Sequence, residues 1–493
     1  MNTSTSAILG LLFLGLGILS LLKLLTPLKS LTLWALILAL SVTVVHAQDQ
    51  LVLLSPHWEG IRIELDEAFR EQYKQDTGRD VDLKWLDVGG TSDILKFIRS
   101  EFKNKASGIG IDLFFGGGTE PYTELKNLGL LERYRVPDEI LGKLAPTIGG
   151  VPLYDTDYSW YAVTMAGFGI IYNKVVLKWL GLPEPKTWED LARPELFTWV
   201  ASADPGKSGS VHMAYEIILQ AYGWERGWQI ITALGANVRG FSGYASQTPK
   251  DVAVGEVAYG LAIDSHAWAQ VKEAGADKIG YVMPQDLTVV NGDAIAILKG
   301  APHRAIAERF IRFALSEKGQ KLLMLRKGEP DGPQQFELGK FSVIPELYSR
   351  VEGRTSVRLN PFEWKSNFVY DATKGSNRWR IVNDLMGAWI IDPHDRLAAA
   401  WKQAIKAGEV EAELQRLATI PVSEQEVQSL IDTGQWRNVE FRNRTINAWA
   451  SIARATYRTE KNEMGILGNL PALIALIIAI AMVVYMRRRF RPS

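Results

Sequence analysis

The residues of this chain whose types and spacing best suit a chemical task are Ala203-Asp204-Pro205-Gly206-Lys207-Ser208-Gly209-Ser210. They lie between an apolar stretch that reads as a strand, Thr198 to Ala201, and a helical pattern from Ser208 to Tyr222. The first N–H groups of a helix have no intrahelical acceptor, and the helix dipole adds partial positive charge at the same end. With the hydroxyls of Ser208 and Ser210, such a start can hold a phosphate, a phosphonate or a carboxylate. The competing reading is that Asp204 and the serines only cap the helix.

The alternatives to simple binding fare worse on the same residues. Gly206-Lys207-Ser208 ends like a nucleotide-binding P-loop, and Tyr259 to Asp264 has the form of a magnesium-holding strand. The full signature, however, needs glycine at position 201, where alanine stands. No GxSxG elbow and no HExxH occurs. Asp264, Ser265 and His266 are adjacent, a poor way to point three side chains at one another. The chain has no cysteine, which excludes disulfides, thiolate metal sites and a cysteine nucleophile. Fifty-five basic residues balance fifty-five acidic ones, so no net field draws nucleic acid. Sixteen tryptophans invite a carbohydrate reading, but positions such as Trp188 and Trp401 fit core packing. Nothing in the sequence calls for a cofactor; His57 and His266 could bind a metal with Asp264, but a plain hydrogen-bonding or surface role suits each histidine better.

The elements that would position an anion site repeat a simple scheme. A strand at Leu51 to Leu54 leads through Ser55-Pro56-His57 into a helix with Ile61, Leu65, Phe69 and Tyr73 every four residues, closed by Gly78. A second unit has the strand Val81 to Trp85, the turn Gly89-Gly90-Thr91-Ser92 and a helix from Ile94 to Phe102, with Thr91 or Ser92 as its cap. A third has Ile111 to Phe115, the loop Gly116-Gly117-Gly118-Thr119 and a helix from Pro121 to Leu128. Three such units predict a parallel, doubly wound sheet, with ligands at the carboxyl ends of its strands. A second set runs from Lys186 to about Gly280, and the apolar strand Asp293 to Leu298 follows.

The run VNGDAIAILKGAPHRAIAERFIRFALSEKGQKLL, from Val290 to Leu323, joins an Asn-Gly step, an apolar strand, Lys-Gly-Ala-Pro and an amphipathic helix ending in Ser-Glu-x-Gly-Gln. With AGFGIIYNKVVL between Tyr161 and Leu177, and the Asp-Pro-x-x-Ser-Gly segment, it resembles the extracellular solute-binding proteins of ABC importers. The similarity is to the branch that takes ferric iron, phosphonates or phosphorylated solutes. The resemblance implies an α/β, two-lobe periplasmic-binding-protein-like fold of type II, with a hinge crossed twice. Residues 48–160 would form the first lobe, 161–285 the second, and 286–457 a return to the first with a helical C-terminal extension. It also implies an ABC permease as partner and a small-molecule ligand at the cleft. Facing Ser208, Gly209 and Ser210, the candidates are Ser55, His57, Gly90, Thr91, Gly117 and Thr119 in the first lobe. In the second they are Tyr244, Asp264, Ser265 and His266, with Asn291 near the crossover. Ferric-binding members present adjacent tyrosines where this chain has Ser265-His266-Ala267, so an anionic solute is the better expectation than iron.

The two ends suggest where this happens. Residues 1–47 hold two apolar segments, around Ala7 to Leu25 and Leu31 to Val45, readable as a signal or anchor. Residues 464–486 include an apolar run from Leu470 to Met486, and the tail 487–493 is basic, the pattern of a transmembrane helix with its arginines inside. The expectation is a receptor tethered to the cell membrane, its soluble part on the periplasmic side. A sensing or scaffold domain of the same fold is the alternative.

Overall fold

The computed structural model describes residues 48–459, and the apolar segments expected at both ends lie outside them. Among the described residues no helix is long and apolar enough to cross a membrane. The first three units form as expected: β1 (Asp49–Leu54), α1 (Glu59–Thr77), β2 (Val81–Leu86), α2 (Thr91–Asn104), β3 (Leu113–Phe115) and α3 (Glu120–Asn127). Helix α1 buries Ile61, Leu65, Phe69 and Tyr73, and Gly78 ends it in the left-handed conformation with its N–H on the Lys74 carbonyl.

Strand β4 (Tyr161–Asn173) is thirteen residues long and buried throughout. Beyond it come β5 (Val200–Ala203), α4 (Gly209–Tyr222), α5 (Trp224–Asn237), β6 (Val238–Ser242), β7 (Tyr259–Ile263), α6 (Asp264–Ala274) and β8 (Ile279–Val282). The return runs through β9 (Val290–Ile297), α7 (Arg304–Leu315), α8 (Glu317–Met324) and β10 (Phe341–Ser342). Main strand order is β2-β1-β3-β9-β4-β7-β5-β6, with β8 and β10 also paired to β4.

The sheet is mixed rather than parallel. β1 and β3 are parallel, as are β5 with β6 and β7, whereas β4 runs antiparallel to β7, β8, β9 and β10, and β9 antiparallel to β3. The two long strands that pass between lobes run against the strand-loop-helix units they join, which a reading of the units alone could not supply. One end of β4, from Tyr161 to Gly167, pairs with β9; the other, from Phe168 to Tyr172, pairs with β7. Strand β9 begins at Val290 rather than Asp293. Asn291 is therefore held in a paired backbone, and a register break follows Asp293.

Five further helices occupy the C-terminal extension: α9 (Ala372–Met386), α10 (His394–Ala407), α11 (Val410–Leu417), α12 (Glu424–Asp432) and α13 (Val439–Thr456). The capping box read at Ser423 and Glu426 is formed. The expected packing of this segment against the first lobe is met by α9, which lies along α3, while α10 and α11 pack on α5 of the second lobe. Helix α10 buries Leu397, Ala400, Trp401 and Ala404, and the Trp401 indole donates to the Asn237 side chain at 2.9 Å.

Candidate functional site

The loops after β1, β2 and β3 meet the loops of the second lobe around a cavity of about 280 Å³. Its wall includes His57, Gly90, Thr91, Gly117, Ser208, Gly209, Ser210, Tyr244, His266 and Asn291, all expected from the sequence. Ser208 is the cap of α4, its hydroxyl accepting from the Val211 N–H at 3.4 Å, and it lines the cavity as well. Both readings of that serine therefore hold at once. The cap of α2 is Gly90, not Thr91 or Ser92, and it brings no side chain to the first N–H groups of the helix.

These two helix starts belong to opposite lobes and touch. A Cβ added at Gly209 would lie 3.0 Å from the Thr91 Cβ, and one added at Gly90 would overlap the Lys207 carbonyl oxygen. Ser92 Oγ reaches the Pro205 carbonyl at 3.4 Å and Lys96 Nζ the Gly206 carbonyl at 3.0 Å. Positive helix ends thus converge on one cavity from both sides.

Four expected residues do not line it. Ser55 stands behind His57, its hydroxyl 3.0 Å from Nδ1. Thr119 donates to the Asn291 side-chain oxygen at 3.2 Å. Asp264 and Ser265 turn instead to a neighbouring cavity of about 460 Å³, because the start of α6 points successive side chains to different sides. Burial, opposed in part by Lys340 and the Gly167 N–H, lifts the Asp264 carboxyl to about 7. His266 does face the first cavity. Burial, helped by Lys340 and His57, drops its imidazole to about 3, so the ring is neutral.

The charged groups were missed. Asp293, at the β9 register break, takes His57 Nε2 at 3.0 Å on one oxygen and accepts the Gly117 N–H on the other. Burial would raise this carboxyl, but the paired His57, with Lys340 and the Gly117 N–H, holds it down to about 2. His57 has both ring nitrogens engaged, which removes it as a metal ligand. Among the described residues no three histidine, aspartate or glutamate side chains converge on a point. Glu120 is buried and receives the Asn291 amide at 3.0 and 3.1 Å; burial, opposed by those bonds, lifts it to about 6. Arg62, at the rim, is engaged by Asp87 at 2.9 Å.

Lys340 differs from all of these. It is 2 % exposed, lines the cavity, and takes part in no ion pair or side-chain hydrogen bond among the described residues. In sequence it sits in an unremarkable Gly-Lys-Phe step, so only the fold reveals it.

Residues 68–329 match the family model of the bacterial extracellular solute-binding protein. The chain belongs to that family. The resemblance to extracellular solute-binding proteins read from the sequence is therefore met. An uncharacterized protein of Haemophilus influenzae is 28% identical over 305 residues, 59% of this chain and 83% of its own length. The phosphoglycerate transport regulatory protein PgtC of Salmonella typhimurium is 28% identical over 162 residues, 33% of this chain and 40% of that relative. Among solved structures, the periplasmic binding protein AfuA of Actinobacillus pleuropneumoniae, with fructose-6-phosphate bound, superposes with a TM-score of 0.51. It is 22% identical, with 73% of this chain and 99% of AfuA covered. Iron-bound HitA of Pseudomonas aeruginosa gives 0.50 at 19% identity, with 68% and 99% covered. At these identities both comparisons speak to the two-lobe fold, not to the solute.

Proposed function

We propose that this protein captures a small solute bearing a phosphate or another compact anion, between two lobes outside the cytoplasm, and hands it to an ABC permease. The observation that carries the choice of anion is Lys340, a buried ammonium that feels the Asp293 and Asp264 carboxylates but forms no direct ion pair among the described residues, on the wall that also receives the starts of α2 and α4. A buried cation is costly unless paired, and a bound anion supplies the missing partner. The carboxylates of Glu120 and Asp293, with neutral His266, suit the hydroxyl groups of the same molecule. The relatives named for phosphoglycerate transport and found with fructose-6-phosphate agree with this reading. Iron is disfavoured by engaged His57 and by Asp264 facing another cavity. Tethering through the apolar ends fits the same role.

The mechanism is a population shift: a solute that touches both lobes stabilises the closed form by its differential contacts. Thermal unfolding against phosphate, 3-phosphoglycerate, fructose 6-phosphate, ferric citrate and glucose tests the reading. A ligand at a hundred times its dissociation constant adds about 2.7 kcal/mol. A raised midpoint with phosphorylated compounds and none with glucose is expected; a shift with ferric citrate alone overturns it. Lys340→Met should weaken the phosphorylated ligand by about tenfold or more, as loss of a charged hydrogen bond of roughly 1.5–3 kcal/mol implies. Equal affinity in that variant removes Lys340 from the site.

A further inference from the structure

The C-terminal extension holds the two lobes unequally. Towards the second lobe, Arg378 is 1 % exposed and its guanidinium meets the buried Glu216 of α4 at 2.9 Å. Trp224 donates to the Val422 carbonyl at 3.1 Å, and Asp371 exchanges two hydrogen bonds with Gln220, at 2.8 and 3.1 Å. Towards the first lobe, α9 packs along α3 and the polar ties are fewer: Ser376 Oγ to the Glu120 carbonyl at 3.4 Å, and the Tyr370 hydroxyl beside the Glu120 carboxylate. Between these contacts α9 carries Trp379 into the cavity wall, its ring 3.7 Å from that of His212 on α4.

We infer that the extension is a third jaw: it rides with the second lobe, seats α9 on α3 when the clamp closes, and shuts one end of the cleft with Trp379. A buried, paired arginine does not leave its carboxylate readily, whereas a long hydrogen bond is weak and a packed helix face can part and re-form as a unit. Opening must therefore part α9 from α3 and leave α9 on α4. Trp379 then bounds the length of the solute, a role that rests on the cavity being the solute site.

The absence of cysteine lets spin labels be placed at will. Exposed positions serve: Lys103→Cys on α2, Glu225→Cys on α5 and Lys406→Cys on α10. Gly90→Leu wedges the lobes apart without any ligand. In paired-label distance measurements, the 225–406 distribution should stay unchanged by this wedge, while 103–225 and 103–406 lengthen together. A fixed 103–406 distance with a moving 225–406 distance, or no change in any pair, overturns the jaw. In a second arm, Trp379→Ala should shift the affinity ratio of fructose 6-phosphate over inorganic phosphate at least fivefold towards the larger compound, with Trp379→Phe near wild type. An unchanged ratio refutes the bounding role. If the wild type binds neither compound, the anion reading fails while the label distances still decide the jaw.

Discussion

Ser208 caps α4 and lines the cavity, and a single substitution separates the cap from the binding role proposed for it. Aspartate is as good a cap as serine, so Ser208→Asp keeps α4 intact but sets a carboxylate on the cavity wall. Its unfolding midpoint should match wild type while binding of the anionic solute is lost; retained affinity would mean that the hydroxyl only caps. Asp264 allows a test of a different kind. Its carboxyl, lifted by burial to about 7, lies above its ordinary value, so the protonated form is favoured in the fold. The stability it contributes is complete below pH 4 and is lost as the pH rises from about 4 to about 7. Asp264→Asn should flatten urea-unfolding stability over that interval and raise it at pH 8, by up to roughly 4 kcal/mol. Asp293 has the opposite sign: held at about 2, it stabilises above pH 4 and ceases to as the pH falls towards 2. Ten of the expected wall residues were readable because glycines, hydroxyls and helix starts announce themselves in local sequence. Lys340, Glu120 and Asp293 were not, since what distinguishes them is burial and the company of residues far away in the chain.

At the level of elements, closure depends on how nearly the starts of α2 and α4 can approach. Gly90 has an ordinary extended backbone, φ −73 and ψ 175, so alanine fits the chain locally and collides only with Lys207 across the cleft. Gly90→Ala should therefore leave the unfolding midpoint of the ligand-free protein within about 0.5 kcal/mol of wild type. Calorimetric affinity for the solute should nevertheless fall severalfold; an unaltered affinity would show that closure does not bring these residues together. Strand-loop-helix units were legible from spacing, as were the α1 stop at Gly78 and the capping box of α12. The antiparallel run of β4 and β9 was not, because strand direction is decided by partners rather than by the strand's own residues. The destination of the extension was hidden for the same reason: the amphipathic face around Trp401 declares that it is covered, not by what.

At the scale of the whole molecule, β4 is, among the described residues, the one strand that pairs with both halves of the sheet, so the lobes share a buried rod of backbone while the loops opposite it meet only through side-chain and helix-start contacts. A clamp of this kind needs something that keeps it from shutting on nothing. The two helix starts that meet over the cavity present like partial charges to one another, and near them stands the ammonium of Lys340. On the proposed function, an anionic solute would offset this repulsion, which the cross-lobe hydrogen bonds of Ser92 and Lys96 otherwise oppose. Under that reading a vacant receptor would favour the open shape and withhold the closed one from its transporter, which would spare the importer a stroke of ATP hydrolysis with no cargo to carry.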